Sequence, residues 1–241
     1  MEIMMLRTIA LALLVSVSIT PPVLSQDYMF QGLAADIAMN TLHSTLLNAT
    51  LQGSMDERED SPAAGSADLT SYDSSPQVSK KAKDQFLAFI HETSGPAGVA
   101  AVKAEFDKRS PVELWAGMVS KDGLGPGDAV DAVAGYWMLN WIIANQAHEQ
   151  EFSTKPVVDQ VRAALVGSSQ FRRLSEAQRQ ELSEVLMMNF LVQQAVYSQA
   201  VTSGDTGMLA RLSDAAVARF SNEAGVDLRT IKPTAAGFAA K

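Results

Sequence analysis

The chain has 241 residues, nearly half of them apolar, and a formal net charge of −8. That length suits one good-sized domain with attached segments, and the apolar content is enough for a substantial core. The acidic balance, without a basic block, argues against nucleic acid and anionic membrane surfaces as partners. Since the chain contains no cysteine, disulfide bonds, thiolate nucleophiles and thiolate metal sites are excluded.

The first 25 residues have the pattern of a secretory signal peptide. Arg7 supplies the positive charge, residues 9–17 form the apolar segment, and Ser25 ends the pattern with a small side chain. The apolar segment is short for a membrane span, and no later run of the sequence replaces it. We therefore expect export to a periplasm or to the medium, with no transmembrane anchor after cleavage of residues 1–25.

Two further segments precede the predicted domain. Residues 26–52 predict a weakly amphipathic arm, which would either dock on the domain or serve a partner. Residues 53–77 are rich in serine, aspartate, proline and glycine. Such a segment buries too little apolar surface to offset the entropy of ordering, so a disordered linker is predicted before a folded domain of residues 78–238.

The domain is predicted to be all-α, a single multi-helix bundle. Gly95 and Pro96 separate its first two helices, and Pro111 opens the third at a position where a missing N–H costs nothing. A fifth helix ends at Gly167. The longest one opens at a capping box on Ser175, and the last carries residues 208–220. Short connections between successive helices favour antiparallel neighbours.

The run from Asp128 to His148 predicts the central helix of this bundle. On a helical projection it is apolar around most of its circumference, and a helix of that kind is normally packed on several sides. Asp128 lies near the positive end of the helix dipole, where an acidic side chain is favoured. We expect the other helices to pack around this one.

Buried amides and aromatic rings supply the candidates for binding a ligand or a partner. Asn140 falls inside the apolar arc of the central helix, where an amide costs a few kcal/mol unless its hydrogen bonds are made. Two more amides, four residues apart, fall on the apolar face of the longest helix. They could form a buried network with Asn140 that joins the two helices, or they could line a pocket. The candidates are Tyr136, Trp137, Asn140, Trp141, Asn189 and Gln193.

Motifs for catalysis and metal binding are missing. No nucleophile elbow, phosphate-binding loop or dinucleotide fingerprint is present. His148 and Glu151 are three apart, but Phe152 stands where a zinc protease needs a second histidine, so neither a metal nor a cofactor is expected. A pair of carboxylates for glycoside hydrolysis needs no local motif, which leaves Glu113, Glu149 and Glu151 as possible catalytic residues.

Four segments of the predicted domain resemble a known group of proteins. They are residues 131–145 (DAVAGYWMLNWIIAN), 160–162 (QVR), 177–186 (AQRQELSEVL) and 234–238 (TAAGF). Their order is similar to that in an uncharacterised family of exported, mostly helical proteins of Gram-negative bacteria, and the similarity covers residues 78–238. Pro233 departs from it, since leucine is expected there. The resemblance implies export and a single helical domain, but no activity and no functional residue.

These features favour a non-catalytic protein, periplasmic or extracellular in a Gram-negative bacterium. It would bind an envelope protein or a small apolar ligand. The alternative is an exported hydrolase that acts on envelope glycans or peptides through a pair of carboxylates. The sequence leaves open whether any catalysis occurs, which partner is bound and how many copies assemble.

Overall fold

The structure, a computed structural model, describes residues 69–241. Six α-helices and a small antiparallel sheet make up this part of the chain. The predicted all-α bundle is confirmed. The predicted signal peptide, the arm and the linker as far as residue 68 lie outside the described residues. The helices are α1 (Pro76–Lys108), α2 (Pro111–Val119), α3 (Ala129–Asn145), α4 (Lys155–Gly167), α5 (Glu176–Ser203) and α6 (Thr206–Ala224), and the strands are β1 (Ile231–Thr234) and β2 (Gly237–Ala240).

Helix α3 is the centre of the bundle, as predicted. Asp128 caps it by accepting a hydrogen bond from the Val130 N–H at 2.9 Å, and from Ala129 to Ala144 every residue except Asp131 is buried. Helices α4, α5 and α6 pack around it because its apolar residues occupy most of its circumference. None of the helices in the described region is long and apolar enough to cross a bilayer.

Helix α1 consists of two helices that fold back on each other. Gly95 has φ 68° and ψ −174°, a backbone conformation that glycine adopts at little cost, and Pro96 follows it. The rings of Phe86 and Phe106, on opposite sides of this break, lie 6.1 Å apart. The predicted separation of two helices at this position is confirmed. The two halves build a small cluster against α5, here called the lateral core, of Ala82, Phe86, Ile90, Phe106 and Met188.

The C-terminal hairpin of β1 and β2 is absent from the sequence prediction. Side chains from two helices hold it. The Gln160 amide donates to the Phe238 carbonyl at 2.9 Å and accepts from the Phe238 N–H at 2.8 Å, and the Trp141 indole N–H donates to the Ile231 carbonyl at 2.9 Å. Gly237 has φ +103°, and a Cβ atom there would lie 2.4 Å from Gln160 Oε1. Since these contacts are distant in sequence, local periodicity does not reveal them.

The first described residues, 69–75, pack against the bundle. Thr70 and Tyr72 are buried, and the Tyr72 N–H donates to the Gly127 carbonyl at 2.9 Å. The Arg162 guanidinium donates to Asp128 at 2.8 Å and to the Thr70 hydroxyl at 2.9 Å. The prediction of a disordered linker is therefore wrong for these residues, because a few buried side chains and backbone hydrogen bonds order a segment whose composition is that of a linker.

Candidate functional site

The three aromatic candidates on α3 are core side chains, each at most 4% exposed. Tyr136 stacks on Phe220 of α6 with ring centroids 5.9 Å apart. Trp137 meets the same ring edge-on at 5.0 Å. The indole of Trp141 bonds the carbonyl of Ile231, as described above. These contacts hold α6 and the C-terminal hairpin against α3. That the three rings bind a ligand or a partner stays a prediction.

Asn140 is fully buried and uses both ends of its amide. Its Nδ2 donates to the Tyr136 carbonyl at 2.8 Å, and its Oδ1 accepts from the Arg219 guanidinium of α6 at 3.0 Å. Arg219 is 6% exposed, and a buried cation of this kind needs acceptors around it. Both ends of the Asn140 amide are therefore hydrogen-bonded within the protein, one of them to α6.

The amides of α5 do not join Asn140. Asn189 donates to the Val185 carbonyl, four residues earlier on its own helix, at 2.9 Å. Gln193 is 3% exposed, and its Oε1 accepts no hydrogen bond within the part of the chain that the structure describes. Of the two alternatives for these amides, the network between α3 and α5 does not form among the described residues. Asn189 bonds a carbonyl of its own helix, as a short polar side chain inside a helix can, and Gln193 Oε1 accepts no bond there.

The candidate catalytic carboxylates lie at surface positions. Glu113 belongs to the capping box that begins α2, where its carboxylate accepts from the Ser110 N–H at 3.2 Å. Glu149 and Glu151 are exposed in the connection between α3 and α4. Within residues 69–241, no group of three or more histidine, aspartate or glutamate side chains could hold a metal ion.

A cleft of about 510 Å³ opens where α1, α2 and α5 meet, beside the lateral core. Its volume is within the range of small-molecule sites in proteins. Apolar side chains from all three helices line most of it, and serines and lysines stand among them. This lateral cleft is lined by Ser74, Pro76, Ser79, Lys80, Lys83, Phe106, Ser110, Pro111, Val112, Glu184 and Met188.

Glu184 is the buried polar residue of the lateral cleft, at 4% exposure. Its Oε1 accepts from the Ser79 hydroxyl and from the Gln180 amide, both at 2.7 Å. Gln180 is itself fully buried, and it bonds the backbone N–H and carbonyl of Ser75, each at 2.9 Å. The first turn of α1 is thus fixed to α5, and the same bonds hold the Glu184 carboxylate in place at the cleft.

A family match covers nearly the whole chain. The sequence model of a family of unknown function (DUF6683) matches residues 7–241. The chain belongs to this family. The resemblance to an uncharacterised family is confirmed to that extent. No curated protein and no solved structure matches the chain. Since no function is described for DUF6683, no residue role transfers from it.

The cleft of this DUF6683 member was not predicted from its sequence, although a signal for it exists. Gln180, Glu184 and Met188 follow one another at intervals of four on α5, and the N-cap of α1, Ser75, lies four residues before Ser79. Residues four apart share one face of a helix. A polar stripe beside the apolar face of each helix therefore indicates the α1–α5 contact, but only once the two helices are known to be neighbours.

A buried phenol lies close to the cleft carboxylate. Burial raises the pKa of Tyr72, and the negative charges of Glu184 and Asp128 raise this pKa further, whereas hydrogen bonds with Ser183 and Gly127 act in the opposite direction. The phenol therefore stays protonated at neutral pH. It contributes no charge to the cleft, where Glu184 is the buried acidic side chain.

Proposed function

We propose that this chain is an exported, non-catalytic binding protein that takes a small ligand with an apolar part into the lateral cleft. The observation that carries the proposal is the composition of that cleft. Phe106, Val112 and Met188 offer apolar surface, and one oriented carboxylate stands beside them. Mostly apolar walls with few placed polar groups are typical of small-molecule sites.

Two features favour a small ligand over an envelope protein or a glycan substrate. A concave site of about 510 Å³ matches a small molecule, whereas protein partners usually take broad, flat surfaces. Hydrolysis of glycans by a carboxylate pair needs two acidic groups across one cleft. Among the described residues that line the lateral cleft, Glu184 is the acidic one.

Export is part of the proposal and rests on the signal-peptide pattern of residues 1–25. Cleavage at that pattern gives a mature chain that begins at Gln26. N-terminal sequencing of the protein from the periplasm or the medium of its host tests this point. A chain that keeps residues 1–25 and stays in the cytoplasm would contradict it.

The binding site is tested by filling the cleft. Ser74 is exposed at the cleft, and the Ser74→Trp change places a large ring in its opening. Ser169→Trp makes the same change at an exposed position outside the cleft. With n-octanol as the probe, we expect the methyl NMR signal of Met188 to shift in the wild type and in Ser169→Trp but not in Ser74→Trp. The methyl signal of Met208 on α6 is the internal control.

Two results would contradict the cleft as the binding site. One is a probe that shifts Met208 while Met188 stays unchanged, because the probe would then bind elsewhere. The other is equal shifts of Met188 in the wild type and in Ser74→Trp. Circular dichroism and thermal unfolding of each variant establish that the fold is retained before the titrations are compared.

A further inference from the structure

The two oxygens of the Glu184 carboxylate have different surroundings. Oε1 accepts two hydrogen bonds, from Ser79 and from Gln180. Oε2 accepts none from the described residues. It is also not fully enclosed, so it keeps some accessible surface. The side chain is more than nine-tenths buried and lines the lateral cleft. On this side chain of the cleft, Oε2 therefore has a capacity to accept hydrogen bonds that no described residue uses.

Two lysines line the cleft, and each lies near an acidic side chain. Lys80 pairs with Asp84 at 2.5 Å, and Lys83 lies 3.7 Å from Asp107, which also pairs with Lys103. Within residues 69–241, no ion pair of 4 Å or less includes Glu184, whereas Glu181, one turn earlier on α5, pairs with Lys81 at 2.8 Å. Burying a carboxylate costs free energy unless a cation, hydrogen-bond donors or water compensate for the lost solvation. Among the described residues that line the cleft, Glu184 is therefore the ionisable side chain that lacks an ion pair.

We propose that the ligand of the lateral cleft is a small amphiphilic amine, whose ammonium group donates to Glu184 Oε2 while its apolar chain lies against Phe106, Val112 and Met188. This inference rests on the proposed function of the cleft. A hydrogen bond between an ammonium and a carboxylate is roughly twice as strong as a neutral one. A single carboxylate is too few ligands for a calcium or magnesium site, which favours an organic cation.

Glu184→Gln is the variant that tests the charge. The glutamine has nearly the shape of glutamate, and its Oε1 can still accept from Ser79 and Gln180, so the link between α1 and α5 is kept. Its amide then presents a donor to the cleft in place of Oε2. Glu181→Gln makes the same change on the same helix outside the cleft lining and serves as the matched control.

Three probes with the same apolar chain separate charge from apolar contact: n-octylammonium, n-octanol and n-octanoate. Binding is followed by calorimetry and by the Met188 methyl signal at neutral pH. We expect octylammonium to bind most tightly and octanoate least tightly in the wild type. Glu184→Gln lowers the affinity for octylammonium by about tenfold or more, as for a lost charge-assisted hydrogen bond, and Glu181→Gln leaves it unchanged.

The possible failures are distinguishable. If octylammonium and octanol bind the wild type equally, and Ser74→Trp abolishes both, the cleft binds ligands but the role of Glu184 is wrong. Tighter binding of octanoate than of octylammonium overturns the inference as well. If no probe moves the Met188 signal, the proposed function of the cleft fails too. Even where Glu184→Gln fails to fold, the comparison of the three probes in the wild type decides whether the cleft prefers an ammonium group.

Discussion

The central core around α3 and the lateral core beside α1 both contain buried polar side chains, but these have different surroundings. In the central core, Asn140 uses its donor and its acceptor on Tyr136 and Arg219 and is fully enclosed. Beside the lateral core, Glu184 lines the lateral cleft, and its hydrogen bonds with Ser79 and Gln180 use one of its two oxygens. Burial of a polar group alone therefore does not indicate a site, and the proposed site rests instead on an acceptor beside a cleft that no described residue uses.

The two cores also differ in extent. The central core takes residues from α2 to α6 and from the C-terminal hairpin, while the lateral core consists of four side chains of α1 and Met188 of α5. Regions with few buried apolar contacts open at lower free energy than the whole molecule. A cleft beside the smaller core can therefore adapt to a ligand without a change in the larger one.

Matched truncations give the largest expected effects and test the independence of the two cores. Leu139 and Ile90 are 2% and 1% exposed, and truncation of such a side chain to alanine costs about 2–5 kcal/mol. We expect Leu139→Ala to lower the free energy of global unfolding, measured in urea. We expect Ile90→Ala to reduce hydrogen-exchange protection in α1 chiefly. Equal loss of protection in α1 and α3 for Ile90→Ala would show one cooperative core instead.

An intermediate effect is expected from the central amide. Asn140→Ala removes the oxygen that accepts from Arg219, and leaving a buried charged donor short of an acceptor costs about 2–3 kcal/mol. Asn189→Ala is the control, since among the described residues its amide bonds a carbonyl of its own helix, and about 1 kcal/mol or less is expected there. Urea unfolding measures both. Equal costs, or a stable Asn140→Ala with altered ligand binding, would contradict the structural role.

The smallest effect is a pH dependence at the connection between α2 and α3. Burial raises the pKa of Asp122 from 3.8 to about 6, although the charge of Lys121 acts in the opposite direction. The folded chain thus holds this proton more tightly than the unfolded chain, so the free energy of unfolding falls as the pH rises from about 4 to about 6.

Asp122→Asn removes this fall in the free energy of unfolding with rising pH. We expect the variant to gain, relative to the wild type, on the order of 1 kcal/mol between pH 4 and pH 7, a value reduced for the partial exposure of the carboxyl. Urea unfolding of both proteins at the two pH values provides the measurement. A difference between them that stays constant with pH would show that Asp122 ionises as freely as an exposed aspartate.

The sequence by itself determined the helices and the central position of α3. Caps such as Asp128 and Ser175 act within three residues, and the break at Gly95 needs only a local backbone conformation. The apolar circumference of α3 is likewise a property of one segment. These features follow from the sequence because their causes lie within a few residues of one another.

The tertiary structure alone decided the polar pairings, the hairpin and the cleft. Gln180 bonds Ser75 across 105 positions, Asn140 bonds Arg219 across 79, and Gln160 bonds Phe238 across 78. Hydrophobic burial is non-directional and shows which face of a helix is inside, but it does not choose the partner of a hydrogen bond. That choice depends on which helices become neighbours, and in the described part of the chain it leaves one oxygen of the cleft residue Glu184 without a hydrogen bond.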